Sequence, residues 1–116
     1  MDTPKIFDSE YRFCLILWRE EPINSTKLAR ICREELGWSR TTTYTVIKRL
    51  SARGVVKNEN ATVRSLVSKE QVQASEMDEL LEKTFEGSLP AFIAAFARRQ
   101  KLTEEEVAEL RRIIES

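Results

Sequence analysis

The chain has 116 residues and 13.5 kDa, the size of one domain or of a small domain with an appendage, and 41% hydrophobic with 33% charged residues excludes disorder. The absence of histidine removes the usual general base, the nucleophile triads and the commonest metal ligand, and two lone cysteines give no zinc framework, so no enzyme, metal or cofactor is expected. Net charge is zero overall, yet residues 1–69 hold 13 Lys and Arg against 8 Asp and Glu (+5), and residues 70–116 hold 6 against 11 (−5).

That asymmetry points to a basic binding half joined to an acidic assembly half. The glycines Gly37, Gly54 and Gly87 are isolated and form no phosphate-cradling loop. The longest apolar run, Phe13 to Trp18, is far short of the roughly 20 residues that a membrane helix needs, so no membrane insertion is expected. The opening residues do not read as a signal peptide, and Cys14 and Cys32 read as buried free thiols; both point to the cytoplasm.

The first helix is expected from Ser9 to about Glu20, with Asp8 as N-cap and Pro22 beyond its end. Tyr11, Cys14, Leu15 and Trp18 recur at helical spacing and form its expected buried stripe. A second helix begins near Thr26, capped by Ser25 or Asn24, buries Leu28, Ile31, Cys32 and Leu36, and stops at Gly37. Ser39 caps a third helix from about Arg40 to Arg53, followed by Gly54.

This third helix has two unlike faces. Thr43, Val46, Ile47 and Leu50 point inward, with Tyr44 at the margin, while Thr41, Thr42, Thr45, Lys48, Arg49 and Ala52 lie opposite. Four threonines in five positions make a poor helix by propensity, so its stability must come from packing. Short hydroxyls beside Lys and Arg suit base edges and phosphates in a major groove; an ordinary surface helix would also carry them.

Val55 to Lys57 and Ala61 to Leu66 read as short strands separated by an Asn58-Glu59-Asn60 turn. Three helices and a hairpin make a winged helix-turn-helix, in which the third helix enters the groove. Ser68 to Gln71 forms a capping box for a helix reaching Phe85, whose apolar residues are Val72, Met77, Leu80, Leu81 and Phe85. Ser88 caps the next, Leu89 to Arg99, with Leu89, Phe92, Ile93 and Phe96 on one face. Thr103 to Glu106 opens the last, with Val107, Leu110, Ile113 and Ile114. These amphipathic helices have no obvious place to bury their stripes except a second copy of the chain.

The segments Asp8-Ser9-Glu10-Tyr11 to Leu17-Trp18, Gly37-Trp38-Ser39 through Thr42, Thr45 and Arg49-Leu50 to Gly54, and Phe85 to Leu89 followed by Lys101 to Glu106 and Leu110 resemble the penicillinase repressor family. The resemblance spans Phe7 to Glu115. It implies a homodimeric transcriptional repressor, mainly α, with an N-terminal winged helix-turn-helix (1–68) binding half of a palindromic double-stranded DNA operator and a C-terminal helical dimerisation segment (69–116). Thr42, Thr45 and Arg49 inherit the groove-facing role. Arg40, Thr41 and Lys48 join them by helical position and chemistry, and Ser39 leaves the helix N-terminus able to meet a phosphate.

The wing departs from the family pattern, lacking its Gly-Arg pair and aromatic strand, which leaves Lys57 and Arg64 as its candidate contacts. Leu81, Phe85, Leu89, Phe92, Ile93, Phe96, Leu110 and Ile113 are the candidate dimer interface. Copper-responsive members carry a cysteine-rich tail, absent after Ile114, so sensing through that motif is not expected. Members governed by a membrane sensor-protease are cut at an Asn-Phe bond; the matching position is near Ala95-Phe96, where the Asn is missing. The competing reading is a winged-helix module for protein–protein assembly, an antirepressor or scaffold, from which the basic face of Arg40, Lys48 and Arg49 distinguishes a DNA-binding repressor.

Overall fold

The computed structural model describes residues 3–116. Six helices and three short strands follow in chain order: α1 (Asp8–Glu20), β1 (Ile23–Asn24), α2 (Ser25–Leu36), α3 (Arg40–Ala52), β2 (Val56–Glu59), β3 (Thr62–Ser65), α4 (Lys69–Phe85), α5 (Leu89–Arg99) and α6 (Glu104–Glu115). The chain is mainly α, as the sequence predicts, and divides into two compact units, with the break after Glu76 inside α4.

In the first unit α1 starts differently from expectation. Asp8 is already helical and Phe7 is the N-cap. Phe7 has no side-chain acceptor, but the Glu10 carboxylate reaches back to accept its N–H at 2.9 Å, so the third helical position does what the cap residue cannot. The buried stripe is also rotated from the predicted one: Glu10, Phe13, Cys14, Ile16 and Leu17 face the core, Tyr11 and Trp18 are half-buried, and Leu15 is exposed. Phe13 stacks on Trp38 with ring centroids 6.1 Å apart, which joins α1 to the turn before α3.

Asn24 caps α2 by accepting the Thr26 N–H at 2.8 Å, and Gly37 closes it with a positive φ of 71°. Leu28 and Cys32 are fully buried as predicted, and Ile31 and Leu36 pack at the core margin. The core of this unit is completed by Leu50, Val55, Val56 and Val63.

The wing is a three-stranded antiparallel sheet in the order β1-β3-β2. The third strand is an addition to the predicted hairpin: Ile23 and Asn24 pair with Val63 and Thr62. The turn also moves. Asn58 and Glu59 lie in β2 opposite Val63 and Thr62, and the connection is Asn60-Ala61, both with positive φ (52° and 61°). A two-residue connection with positive φ at both positions matches the right-handed twist of the paired strands. The Ala61 carbonyl also accepts the Ser25 N–H at 2.8 Å, fastening the turn to α2.

Alanine is strained at positive φ, where glycine is free. Ala61→Gly should therefore stabilise the chain by roughly 0.5–1 kcal/mol, once the greater freedom of glycine in the unfolded chain is subtracted. Urea unfolding of the two proteins measures it; a less stable variant would show that Ala61 contributes more by its methyl than it loses by strain.

The end of α1 is pinned to β3 and the linker after it. Glu21 accepts the Ser65 N–H at 2.7 Å, and the Trp18 indole N–H donates to the Val67 carbonyl at 3.0 Å. Val72, in the first turns of α4, is buried in the same core.

Both cysteines are buried free thiols. Burial first, and then the negative charge of Glu10, pushes Cys14 up to about 12, while Arg53 acts in the opposite direction. Burial pushes Cys32 up to about 11, opposed by the Thr43 hydroxyl. Unfolded thiols ionise near about 8.5, so above that pH the unfolded chain releases protons that the folded chain keeps. The stabilisation is complete below about pH 8.5 and is lost as pH rises toward the folded values. Urea midpoints should fall between about pH 7 and pH 10, and fall less in a Cys14→Ala/Cys32→Ala variant. Equal falls in both proteins would place the alkaline loss elsewhere.

In the second unit, α5 and α6 start where the sequence predicts. Ser88 accepts the Ala91 N–H at 3.1 Å with Pro90 in the first turn, and Thr103 and Glu106 exchange both bonds of a capping box at 3.0 Å. Phe85 and Phe92 meet edge to face with centroids 5.4 Å apart. Yet neither α5 nor α6 buries a single residue, and Leu110, Ile113 and Ile114 remain 41%, 62% and 75% exposed. No helix among the described residues is long and apolar enough to cross a membrane.

Candidate nucleic-acid interface

The third helix is held from below and left open above. Thr43, Val46, Ile47 and Leu50 are buried, which fixes its rotation on the core despite the weak helix propensity of its threonines. At its start the Ser39 hydroxyl accepts the Thr42 N–H at 3.1 Å and lies 2.9 Å from the Thr42 hydroxyl. Capping by a hydroxyl satisfies one of the orphan donors while leaving the helix N-terminus positive.

With the rotation fixed, Arg40, Thr41, Thr42, Thr45, Lys48 and Arg49 are all exposed on the opposite side, as the sequence predicts. Arg40, Thr41, Tyr44, Thr45 and Lys48 line a shallow depression. The Arg40 guanidinium lies 5.5 Å from the centre of the Tyr44 ring, and the Tyr44 hydroxyl donates to Ser25 at 3.4 Å, tying α3 to the start of α2. Among the described residues, no carboxylate pairs with Arg40, Lys48 or Arg49. Their charge is therefore presented to solvent uncompensated.

The wing brings Lys57 and Arg64 directly opposite each other across β2 and β3, both exposed. Like charges so placed repel. Glu59 relieves this: its carboxylate lies 2.9 Å from Lys57, whose hydrogen bond and charge hold Glu59 below the usual carboxylate range.

Two features here were not anticipated from the sequence. Arg53, the C-cap of α3, pairs with the buried Glu10 carboxylate and lies over the Phe7 ring at 5.3 Å, so α1 also anchors the far end of α3. On α2, Thr26, Ala29, Arg30 and Arg33 form a second depression together with Arg40. The three-residue spacing of Lys27, Arg30 and Arg33 was the available signal for it.

In the C-terminal unit the candidate interface residues separate by exposure. Leu81, Phe85 and Phe92 are half-buried, and Leu89, Ile93, Phe96, Leu110 and Ile113 are exposed. The Ala95-Phe96 bond lies in the interior of α5, with Ala95 half-buried and the Phe96 carbonyl accepting the Gln100 N–H at 3.0 Å. Among the described residues, no group of three or more His, Cys, Asp or Glu is placed to hold a metal ion.

A helix-turn-helix with a small antiparallel wing, and a third helix presenting hydroxyls and unpaired cations, define a winged-helix DNA-binding transcriptional regulator. A family model described as penicillinase repressor matches residues 6–116, and the chain belongs to that family of repressors. It is 24% identical to the methicillin resistance regulatory protein MecI of Staphylococcus aureus (strain Mu50 / ATCC 700699), over 97% of this chain and 94% of that one. It is 26% identical to a penicillinase repressor of Bacillus licheniformis, over 97% and 91%. A MecI of Mammaliicoccus sciuri matches at 23% over 97% and 94%.

Proposed function

We propose that the chain is a homodimeric repressor that binds a palindromic operator, one half-site per winged helix, with α3 in the major groove. The observation that carries this reading is the exposed face of α3, where Thr42, Thr45 and Arg49 lie beside Arg40, Thr41 and Lys48 and, among the described residues, no carboxylate pairs with the cations. In this reading Thr42, Thr45 and Arg49 meet base edges, and Arg40, Thr41 and Lys48 complete the groove-facing surface. The capped start of α3 at Ser39 receives a phosphate, and Lys57 and Arg64 approach the backbone from the wing. The names of the relatives, a penicillinase repressor and a methicillin resistance regulator, support it.

Residues 69–116 supply the dimer contact, for which the exposed apolar residues of α5 and α6 are the motive. Such interfaces bury on the order of 2,000 Å² or more. Release follows from proteolysis under a membrane sensor-protease system, at or near Ala95-Phe96. A bond inside a helix cannot take the extended form a protease grips, so α5 must open locally before it is cut.

Selection of duplexes from a randomised pool tests the reading. The expected product is an inverted repeat whose half-sites are centred about 10 base pairs apart, or a multiple of that, because two-fold protein symmetry imposes it on the DNA. A pool that enriches no sequence, or only single half-sites, would overturn it.

A further inference from the structure

Three kinds of contact hold α3 on the core. Ser39 caps its start, Val46, Ile47 and Leu50 are buried beneath it, and Arg53 holds its end through Glu10. Apolar contacts have no direction, so a buried apolar row sets which face of a helix points inward but lets the helix pivot and slide by small amounts. A charge-assisted hydrogen bond has a preferred distance and angle, and removes that freedom where it is made.

Stability alone accounts poorly for the Glu10–Arg53 pair. Among the described residues, Glu10 is the one charged side chain that is buried, and the Arg53 Nε–H is buried without an acceptor. A carboxylate loses its water on burial even when it is paired, and an apolar pair of similar volume often serves a core as well or better. What the pair supplies is position. The Glu10 carboxylate is fixed at the start of α1 by the Phe7 N–H, and the Arg53 guanidinium lies over the Phe7 ring. The Arg53 backbone N–H donates in turn to the Arg49 carbonyl at 3.2 Å, one helical turn earlier. One ion pair and one hydrogen bond therefore tie Arg49, on the exposed face of α3, to the start of α1.

We propose that Arg53, pinned by Glu10, is a positioning residue for sequence reading, which fixes the end of α3 so that Arg49 meets its base edge in register. The inference rests on the DNA-binding reading of α3 and deepens it. Hydrogen bonds to a base edge weaken steeply with distance and angle, whereas attraction between exposed cations and phosphates acts over about 10 Å and tolerates displacement. The pin therefore governs preference among sequences, and leaves the salt dependence of binding alone.

Fluorescence anisotropy with a random-sequence duplex and with the tightest duplex from the selected pool tests this, at a temperature where circular dichroism shows each variant folded. Glu10→Gln/Arg53→Met removes both charges together, so neither is left buried alone, and Gln keeps an acceptor for the Phe7 N–H. Preference for the selected over the random duplex should fall roughly 5–150-fold, the worth of one base contact. Affinity for the random duplex and the slope of log affinity against log salt should be unchanged. Adding Arg49→Ala should lower the preference no further than Arg49→Ala does alone, because both changes remove the same contact. Arg53→Lys, which keeps a cation beside Glu10, should retain most of the preference. Should the double variant not fold, Arg53→Gln is measured in its place, with the same expectation. A merely structural pair would lower the melting temperature and leave the preference of the folded protein intact; that result would overturn the pin, and so would losses that add to those of Arg49→Ala. Failure of the parent reading looks different: the unmodified chain itself would not prefer the selected duplex.

Discussion

In the proposed homodimer, Phe92→Asp should separate the subunits into monomers and lower operator affinity by about 10²–10⁴. Phe92 sits between Phe85 and Phe96 in the second unit, with ring centroids 5.4 and 6.4 Å away. A carboxylate there loses its water if the contact forms. Separated subunits must each hold a half-site alone, and the effective-concentration gain from linked binding disappears. Sedimentation equilibrium should show a fall from twice 13.5 kDa to 13.5 kDa. Because Phe92 also packs within its own unit, Ile113→Ser is the complementary variant: Ile113 is 62% exposed, so its loss leaves the unit folded while weakening the contact. A dimer that survives both changes would place the interface elsewhere.

Lys48→Ala and Arg49→Ala should differ in kind. Lys48 and Arg49 are adjacent, both exposed and neither paired among the described residues, so their size and charge do not separate them. Their expected targets do. Loss of a phosphate contact at Lys48 should weaken binding to all duplexes alike and reduce the salt slope by about one for each subunit. Loss of a base contact at Arg49 should cost roughly 1–3 kcal/mol on the selected duplex and much less on random DNA. Equal losses on both duplexes for both variants would show that α3 does not read bases through Arg49.

The parts of the fold that were legible in the sequence are those governed by a few adjacent residues. The starts of α5 and α6 follow from Ser88 with Pro90 and from Thr103 with Glu106, where the cap and its partner lie within one turn. The exposed face of α3 was legible for a related reason: four apolar or small residues at helical spacing fix its rotation, and the remaining positions must face outward. The misreadings are of another kind. Asp8 is the better cap by residue type, but the carboxylate that completes the start of α1 belongs to Glu10, which is also engaged by Arg53, 43 positions later. Asn58 and Glu59 favour turns by composition, yet pairing with Val63 and Thr62 draws them into β2 and leaves the positive φ to Asn60 and Ala61. No local signal marks β1, whose two residues are a strand only because β3 lies beside them. The depression on α2 was hidden because cations on a helix look solvated until Arg40 is seen to line it as well.

The unburied side chains of α5 and α6 bear on gene dosage. If a second copy covers that apolar surface, as proposed, the DNA-competent form is second order in the number of chains per cell. When copies are scarce enough for subunits to separate, the competent form falls as the square of chain number. Repression would then yield over a narrow span of expression, and a fusion or truncation that left the winged helix intact but covered those residues would turn this step into a shallow slope.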